Sequence, residues 1–356
     1  ETIDRYIQFM QSKLHDKLSH MEYEELREAI LHQMVMPSMR LLQFAGKAAE
    51  HTNVCAYNCS FIAPSKLRDF GEIMYVLMCG SGLGFSVENQ AVHDLPKIQL
   101  QTGEMLDTHV IEDSKEGWCD ALVLGLEIWY SGRDIRFDYS KLRPIGARLK
   151  TMGGKSSGPD PLKNLLKFAR QKILSKQGRR LTSIDVHDII CKIGEIVVSG
   201  GVRRSAMISL SDLYDTDLRD AKTGQFYHIN PQRLIANNST VYNEKPDNVT
   251  LMTEWLALAK SGSGERGIFN RSGLTNTLPA RRIEFLKKQG LIKGNKITGM
   301  IGLNPCAEIV LQSKQFCNLT EVVAREDDTE ESLLKKIRLA TILGTYQATL
   351  TNFPSF

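Results

Sequence analysis

The pattern that most restricts the fold of this chain is an alternation of amphipathic helical stretches with short apolar runs, punctuated by glycine. After Pro64-Ser65, the residues Leu67, Phe70, Ile73, Met74 and Leu77 recur at the spacing of one helical face, and the run stops at Gly80, Gly82 and Gly84. Phe85-Ser86-Val87 then predicts a short strand. Helical spacing returns over residues 116–130, 162–177 and 184–198, and the alternating residues 205–210 predict another strand. Residues 248–259, 281–288 and 330–350 are again helical, while 298–311 reads as extended or irregular. This order is the grammar of an α/β protein. Residues 3–36 predict a helical lead-in that Pro37 stops. The Gly-, Pro- and Ser-rich residues 143–161 predict an ordered loop or an internal boundary, and no repeat of fixed period occurs.

The 356 residues, 42% hydrophobic and 24% charged, suffice for one large or two average domains. Lys and Arg number 45 against 41 for Asp and Glu. The resulting charge of +4 is spread along the chain, which argues against a nucleic-acid coat and fits local handling of small anions. The longest apolar candidate, residues 121–130, is interrupted by Gly125 and Glu127 and falls short of the roughly 18 residues of a membrane span. Neither nucleic acid nor membrane is therefore expected as a partner. The first residues carry no secretory pattern and no initiator Met. Seven cysteines, an odd number in a large chain, point to a reducing cytoplasm.

The densest chemical signal is Asn304-Pro305-Cys306-Ala307-Glu308. Read as extended backbone, it sends Asn304, Cys306 and Glu308 to one side, so an amide, a sulfur and a carboxylate face one ligand. The plainer reading is a buried Cys in a core strand. Cys317 follows eleven residues later, and Cys59 lies in Asn58-Cys59-Ser60-Phe61. His51, Cys55, Cys59, Cys306 and Cys317 also permit a structural zinc site, although their gaps are loose for a ribbon or finger. Cys79, Cys119 and Cys191 sit among apolar residues and read as core. The turn Gly80-Ser81-Gly82-Leu83-Gly84 follows a helix and precedes a strand, the reverse of the dinucleotide fingerprint, and Gly154-Lys155-Ser156 lacks the first glycine of a P-loop. Arg203 and Arg204, after Gly200-Gly201, read as solvated charges or as part of a functional loop.

Taken together, these segments resemble the catalytic subunit of ribonucleotide reductase, in particular the adenosylcobalamin-dependent class II enzymes. The resemblance is carried by the N-P-C-x-E motif, the short gap to Cys317-Asn318-Leu319, and Asn58-Cys59-Ser60-Phe61 before a helix and glycine-rich turn. Residues 36–40, 143–147, 153–161, 201–206 and 237–239 extend it in family order over most of the chain. The resemblance implies a ten-stranded α/β barrel with a central finger loop. This chain would supply a helical N-terminal region over residues 1–36 and a partial barrel over 37–356, with the finger loop at about 300–317 and without the second half-barrel. An interrupted or partial chain is thus expected.

The implied activity is reduction of ribonucleotides, as triphosphates rather than diphosphates, to deoxyribonucleotides for DNA synthesis. Cys306 matches the thiyl-radical position, generated through adenosylcobalamin, and Glu308 matches the base on the 3′-hydroxyl. Asn304 would hold the ribose hydroxyls, and Cys59 and Cys317 match the reducing pair, which a thioredoxin-like reductant regenerates. Ser38, Asn58, Ser60, Gly80 and Gly82 match substrate contacts. Arg203 and Arg204 fall in the loop through which a deoxynucleotide effector selects the substrate base. The competing reading is a diphosphate reductase of the same class, or a non-catalytic nucleotide- or zinc-binding piece with a reductase scaffold.

Overall fold

The computed structural model describes residues 1–149, 154–199 and 206–354. Its helices include α1 (Thr2–Leu14), α2 (His20–Leu31), α3 (Leu67–Met78), α4 (Lys115–Tyr130), α5 (Asp160–Leu174), α6 (Ser183–Ser199) and α7 (Glu330–Ala348). The main strands are β1 (Cys59–Ile62), β2 (Gly82–Ser86), β3 (Met207–Asp212), β4 (Ala236–Val241), β5 (Gly267–Phe269), β6 (Ile301–Leu303), β7 (Val310–Gln312) and β8 (Gln315–Phe316). β1 to β5 lie side by side in chain order as a parallel sheet, and β8 adds antiparallel to the free edge of β1. The α/β expectation holds, and five consecutive parallel strands constitute a partial barrel.

Local chemistry starts the helices where the pattern places them. The Asp69 carboxylate accepts the N–H groups of Ser65 and Lys66 at 2.8 and 2.9 Å and so closes the first turn of α3. Ser114 accepts from the N–H of Gly117 to cap α4, and Thr329 accepts from Ser332 to cap α7. α3 is buried on nearly every side, between the sheet and helices α4 and α6. It approaches α4 so closely that a Cβ at Gly71 would lie 2.5 Å from Val123 Cγ2. The amphipathic reading of α3 therefore saw only its most apolar stripe.

Two apolar clusters flank the sheet. One gathers α1 to α7 on the helix side, with Tyr6, Met10, Phe70, Ile73, Leu122 and Leu343 buried together. The other lies on the opposite face and joins Phe61, Leu210, Val241 and Phe269 to Leu303 and Leu311 of the β6–β7 hairpin. Both faces are covered, as a parallel sheet requires.

Three expectations change. The lead-in over 3–36 is two helices, because the turn His15–Lys17 interrupts the pattern and Ser19 with Glu22 forms a fresh capping box. The glycine turn extends into a central strand, which begins at Gly82 rather than Phe85. Residues 298–311 contain the antiparallel hairpin β6–β7, with register Ile301↔Gln312, Gly302↔Leu311 and Leu303↔Val310.

Candidate functional site

The site forms where the β6–β7 hairpin lies across the inner face of β1 and β2. Glycine makes that approach possible. A Cβ at Gly84 would stand 1.8 Å from the Leu303 carbonyl oxygen, and one at Gly302 would stand 2.1 Å from the Phe61 ring. Farther along, a Cβ at Gly82 would meet Pro305 Cγ at 3.0 Å and Cys59 Sγ at 3.4 Å. The hairpin tip and the first cysteine of β1 thus converge on one point of the sheet.

Cys59 opens β1 and pairs in register with Gly82. On its other side the β8 ladder, Phe316↔Ser60, continues to Cys317, whose N–H donates to the Cys59 carbonyl at 2.8 Å. Both thiols are buried, at 8% and 1% exposure. A hydrogen bond with Cys59, then burial, then the negative charges of Cys59 and Glu308 push the Cys317 thiol far above its ordinary value of 9.0. Cys306 is the exposed cysteine of this chain among its described residues.

The tip is a turn, which corrects the extended reading of Asn304 to Glu308. Ala307 has φ +66°, and its N–H donates to the Asn304 carbonyl at 2.9 Å. The strict alternation that would align Asn304, Cys306 and Glu308 does not apply in a turn. Asn304 is fully buried instead, its side-chain oxygen accepting the Ile309 N–H at 2.9 Å, while Cys306, Ala307 and Glu308 are exposed. The Asn304 Nδ2 is buried without a hydrogen-bond partner among the described residues. Such a donor carries a desolvation cost that a ligand acceptor would relieve.

The remaining candidates divide. Ser38 Oγ donates to Asn58 Oδ1 at 3.0 Å, and the Asn58 carbonyl accepts the Gly82 N–H at 2.8 Å, so these three join the same corner. Gly80, at φ +79°, occupies the turn before β2, where a Cβ would lie 2.4 Å from Arg40 Nη2. Strand alternation turns Ser60 away from Cys59, and its buried hydroxyl donates to the Gln315 carbonyl at 2.9 Å. Arg203 and Arg204 lie outside the described residues.

The zinc alternative finds no cluster: no three His, Cys, Asp or Glu side chains gather as metal ligands among the described residues. Cys55 is a core residue, its thiol donating to the Thr52 carbonyl at 3.2 Å and pushed up to about 12 by burial. Cys79, Cys119 and Cys191 are buried as expected. Sequence reasoning overlooked Arg271 and Glu88, which meet beneath the hairpin base at 2.7 Å from opposite parts of the chain. Neither belongs to a motif, so no local signal marks them.

No protein-family model matches the chain. It is 28% identical over 306 residues to the adenosylcobalamin-dependent ribonucleoside-triphosphate reductase of Euglena gracilis, covering 83% of this chain and 39% of that protein. It is also 28% identical over 361 residues to the enzyme of that name from Lactobacillus leichmannii, covering 85% and 46%. With its Lacticaseibacillus paracasei namesake it is 30% identical over 290 residues, covering 69% and 36%. The chain thus spans less than half the length of these relatives. Its fold superposes on the crystal structure of a B12-dependent class II ribonucleotide reductase with a TM-score of 0.78 at 23% identity, covering 99% of this chain and 56% of that one.

Proposed function

From homology with the adenosylcobalamin-dependent ribonucleotide reductases and possession of their fold, we propose that this chain carries the reducing centre of a thiyl-radical ribonucleotide reductase acting on ribonucleoside triphosphates. The observation that carries this reading is the arrangement at the hairpin tip. Exposed Cys306 follows Pro305, which packs with Cys59 Sγ around Gly82; Cys59 opposes Cys317, and the buried Asn304 Nδ2 finds no hydrogen-bond partner among the described residues.

In this reading Asn304 Nδ2 donates to a ribose hydroxyl, and Ser38 and Asn58 shape the corner of the site with Gly80 and Gly82. Cys306, as a thiyl, takes the ribose 3′-hydrogen, and the Glu308 carboxylate accepts the 3′-hydroxyl proton. The 2′-hydroxyl leaves as water with a proton from the cysteine pair. Cys59 and Cys317 give up two electrons and two protons in all and become a disulfide, and Cys306 returns the hydrogen to C3′. The sum is ribonucleotide plus two thiols giving deoxyribonucleotide, disulfide and water. A dithiol protein of the thioredoxin type restores the pair.

Adenosylcobalamin, when bound, supplies the one-electron chemistry that converts a thiol into a thiyl. The tip fits that requirement, because Cys306 is exposed while the reducing thiols Cys59 and Cys317 are buried. Base selection by a deoxynucleotide through Arg203 and Arg204, and supply of precursors for DNA synthesis, belong to the same reading.

The test is deoxyribonucleotide formation from ribonucleoside triphosphates and diphosphates with adenosylcobalamin and a dithiol. It compares the chain with its Cys306→Ala variant, each alone and each joined to the C-terminal remainder of the Lactobacillus leichmannii relative. Product from triphosphates that requires cobalamin and Cys306 supports the reading. Product that survives Cys306→Ala, or a folded joined protein without product, overturns it.

A further inference from the structure

The β6–β7 hairpin is anchored at its base by a buried charge cluster. Arg271, two residues beyond β5, directs Nη1 and Nη2 to the two carboxylate oxygens of Glu88 at 2.7 Å each. Its Nε donates to the carbonyl of Ile301, the first residue of β6, at 2.8 Å, and Nη1 also reaches Asn243 Oδ1 at 3.1 Å. Arg271 and Glu88 are 3% exposed, and the Ser86 hydroxyl donates to Glu88 at 2.8 Å. Glu88 and Asn243 each follow the C-terminal end of a sheet strand, β2 and β4. The hairpin tip lies at the other end, with Pro305 beside Gly82 at the start of β2.

We infer that Arg271 is a positioning residue that fixes how far the hairpin reaches along the sheet, and thereby where Cys306 stands relative to Cys59 and Cys317. The inference rests on the reading in which these three cysteines work together. From Ile301 to Leu303 the strand advances roughly 7 Å, at about 3.4 Å per residue, and leads directly into the tip turn. The hairpin has only three residue pairs, so a displacement of its base is carried to its tip. The planar guanidinium holds the Ile301 carbonyl and the Glu88 carboxylate in one fixed geometry. A lysine there would keep the charge and lose the fork. A buried ion pair is weak support for stability, since an uncharged pair of similar volume often serves as well. Geometry is what this cluster supplies beyond a plain apolar contact.

The experiment reads geometry rather than turnover. The whole chain is treated with a short bifunctional methanethiosulfonate, and peptides joining Cys306 to Cys59 are quantified by mass spectrometry. Oxidation of Cys59 with Cys317 by diamide serves as the internal reference. In Arg271→Lys, and in the uncharged pair Arg271→Met with Glu88→Gln, the Cys306–Cys59 link should fall by about fivefold or more while the reference rate stays within about twofold. Undiminished linking in either folded variant overturns the inference. So does loss of the helical circular dichroism signal in both, because the cluster would then serve folding alone. Failure here leaves the reductase reading standing, and loss of that reading would come instead from the Cys306→Ala product assay.

Discussion

The N–H of Cys317 donates to the carbonyl of Cys59 at 2.8 Å, which makes the two cysteines a hydrogen-bonded pair across antiparallel strands. Opposed residues of that kind have Cα atoms about 5.5 Å apart, inside the range a disulfide spans. Mild oxidation with diamide should therefore join Cys59 to Cys317 in the folded chain, with loss of two hydrogens. Peptide mapping checks the partners, and a product linking either cysteine to Cys55 or Cys79 would contradict the geometry.

Thiol accessibility gives a second prediction. Six of the seven cysteines are buried, and burial holds the Cys55, Cys79 and Cys119 thiols above their ordinary range, as it does Cys317 behind its bond to Cys59. The thiolate is the reactive form, so native protein at pH 8 should take up one iodoacetamide rapidly, at Cys306, with the buried thiols reacting many-fold more slowly. Rapid labelling of Cys317 would show that β8 does not cover it.

Replacing Gly84 by alanine tests the seat of the hairpin. The added methyl would meet the Leu303 carbonyl at 1.8 Å, a backbone atom that moves only with β6 itself. The variant should lose about 1–3 kcal/mol, the usual cost of overpacking a well-filled interior. Urea unfolding measures it, and an unchanged midpoint would mean that the hairpin does not rest on β2.

A pH effect follows from Asp328, which precedes α7. Its hydrogen bond from the buried Lys336, then those from the Ser332 hydroxyl and the Arg325 N–H, hold its carboxyl down to about 2 from 3.8. A carboxyl depressed on folding stabilises above its unfolded value, and that contribution is lost as pH falls from 3.8 through about 2. Thermal unfolding should therefore decline more steeply over this window for the native chain than for Asp328→Asn. Parallel curves would remove Asp328 from the account.

Much of the scaffold was legible from the residues alone. The face formed by Leu67, Phe70, Ile73, Met74 and Leu77 gave α3, and α6 and α7 agree with their patterns within one or two residues. Helix signals are local, since period and cap lie within a few residues of each other. β2 was placed three residues late because its glycines resemble a turn, and their reason, the hairpin pressed against Gly82 and Gly84, lies more than two hundred residues away. The partnership of Cys59 with Cys317 came from family resemblance, as spacing alone also allowed a zinc site, with gaps loose for one.

Tertiary structure decided the rest. Side-chain alternation in β1 separates Ser60 from Cys59, and the turn at Ala307 buries Asn304 while exposing Cys306 and Glu308. Glu88 and Arg271 become partners across 183 residues only when the ends of β2 and β5 face the same hairpin base. The sequence by itself determined the α/β order, the helices and the residue types able to do thiol chemistry, because those follow from local periodicity and side-chain identity. Which of these groups meet depends on strand register and close backbone approach, which arise between distant segments and exist only in the folded chain.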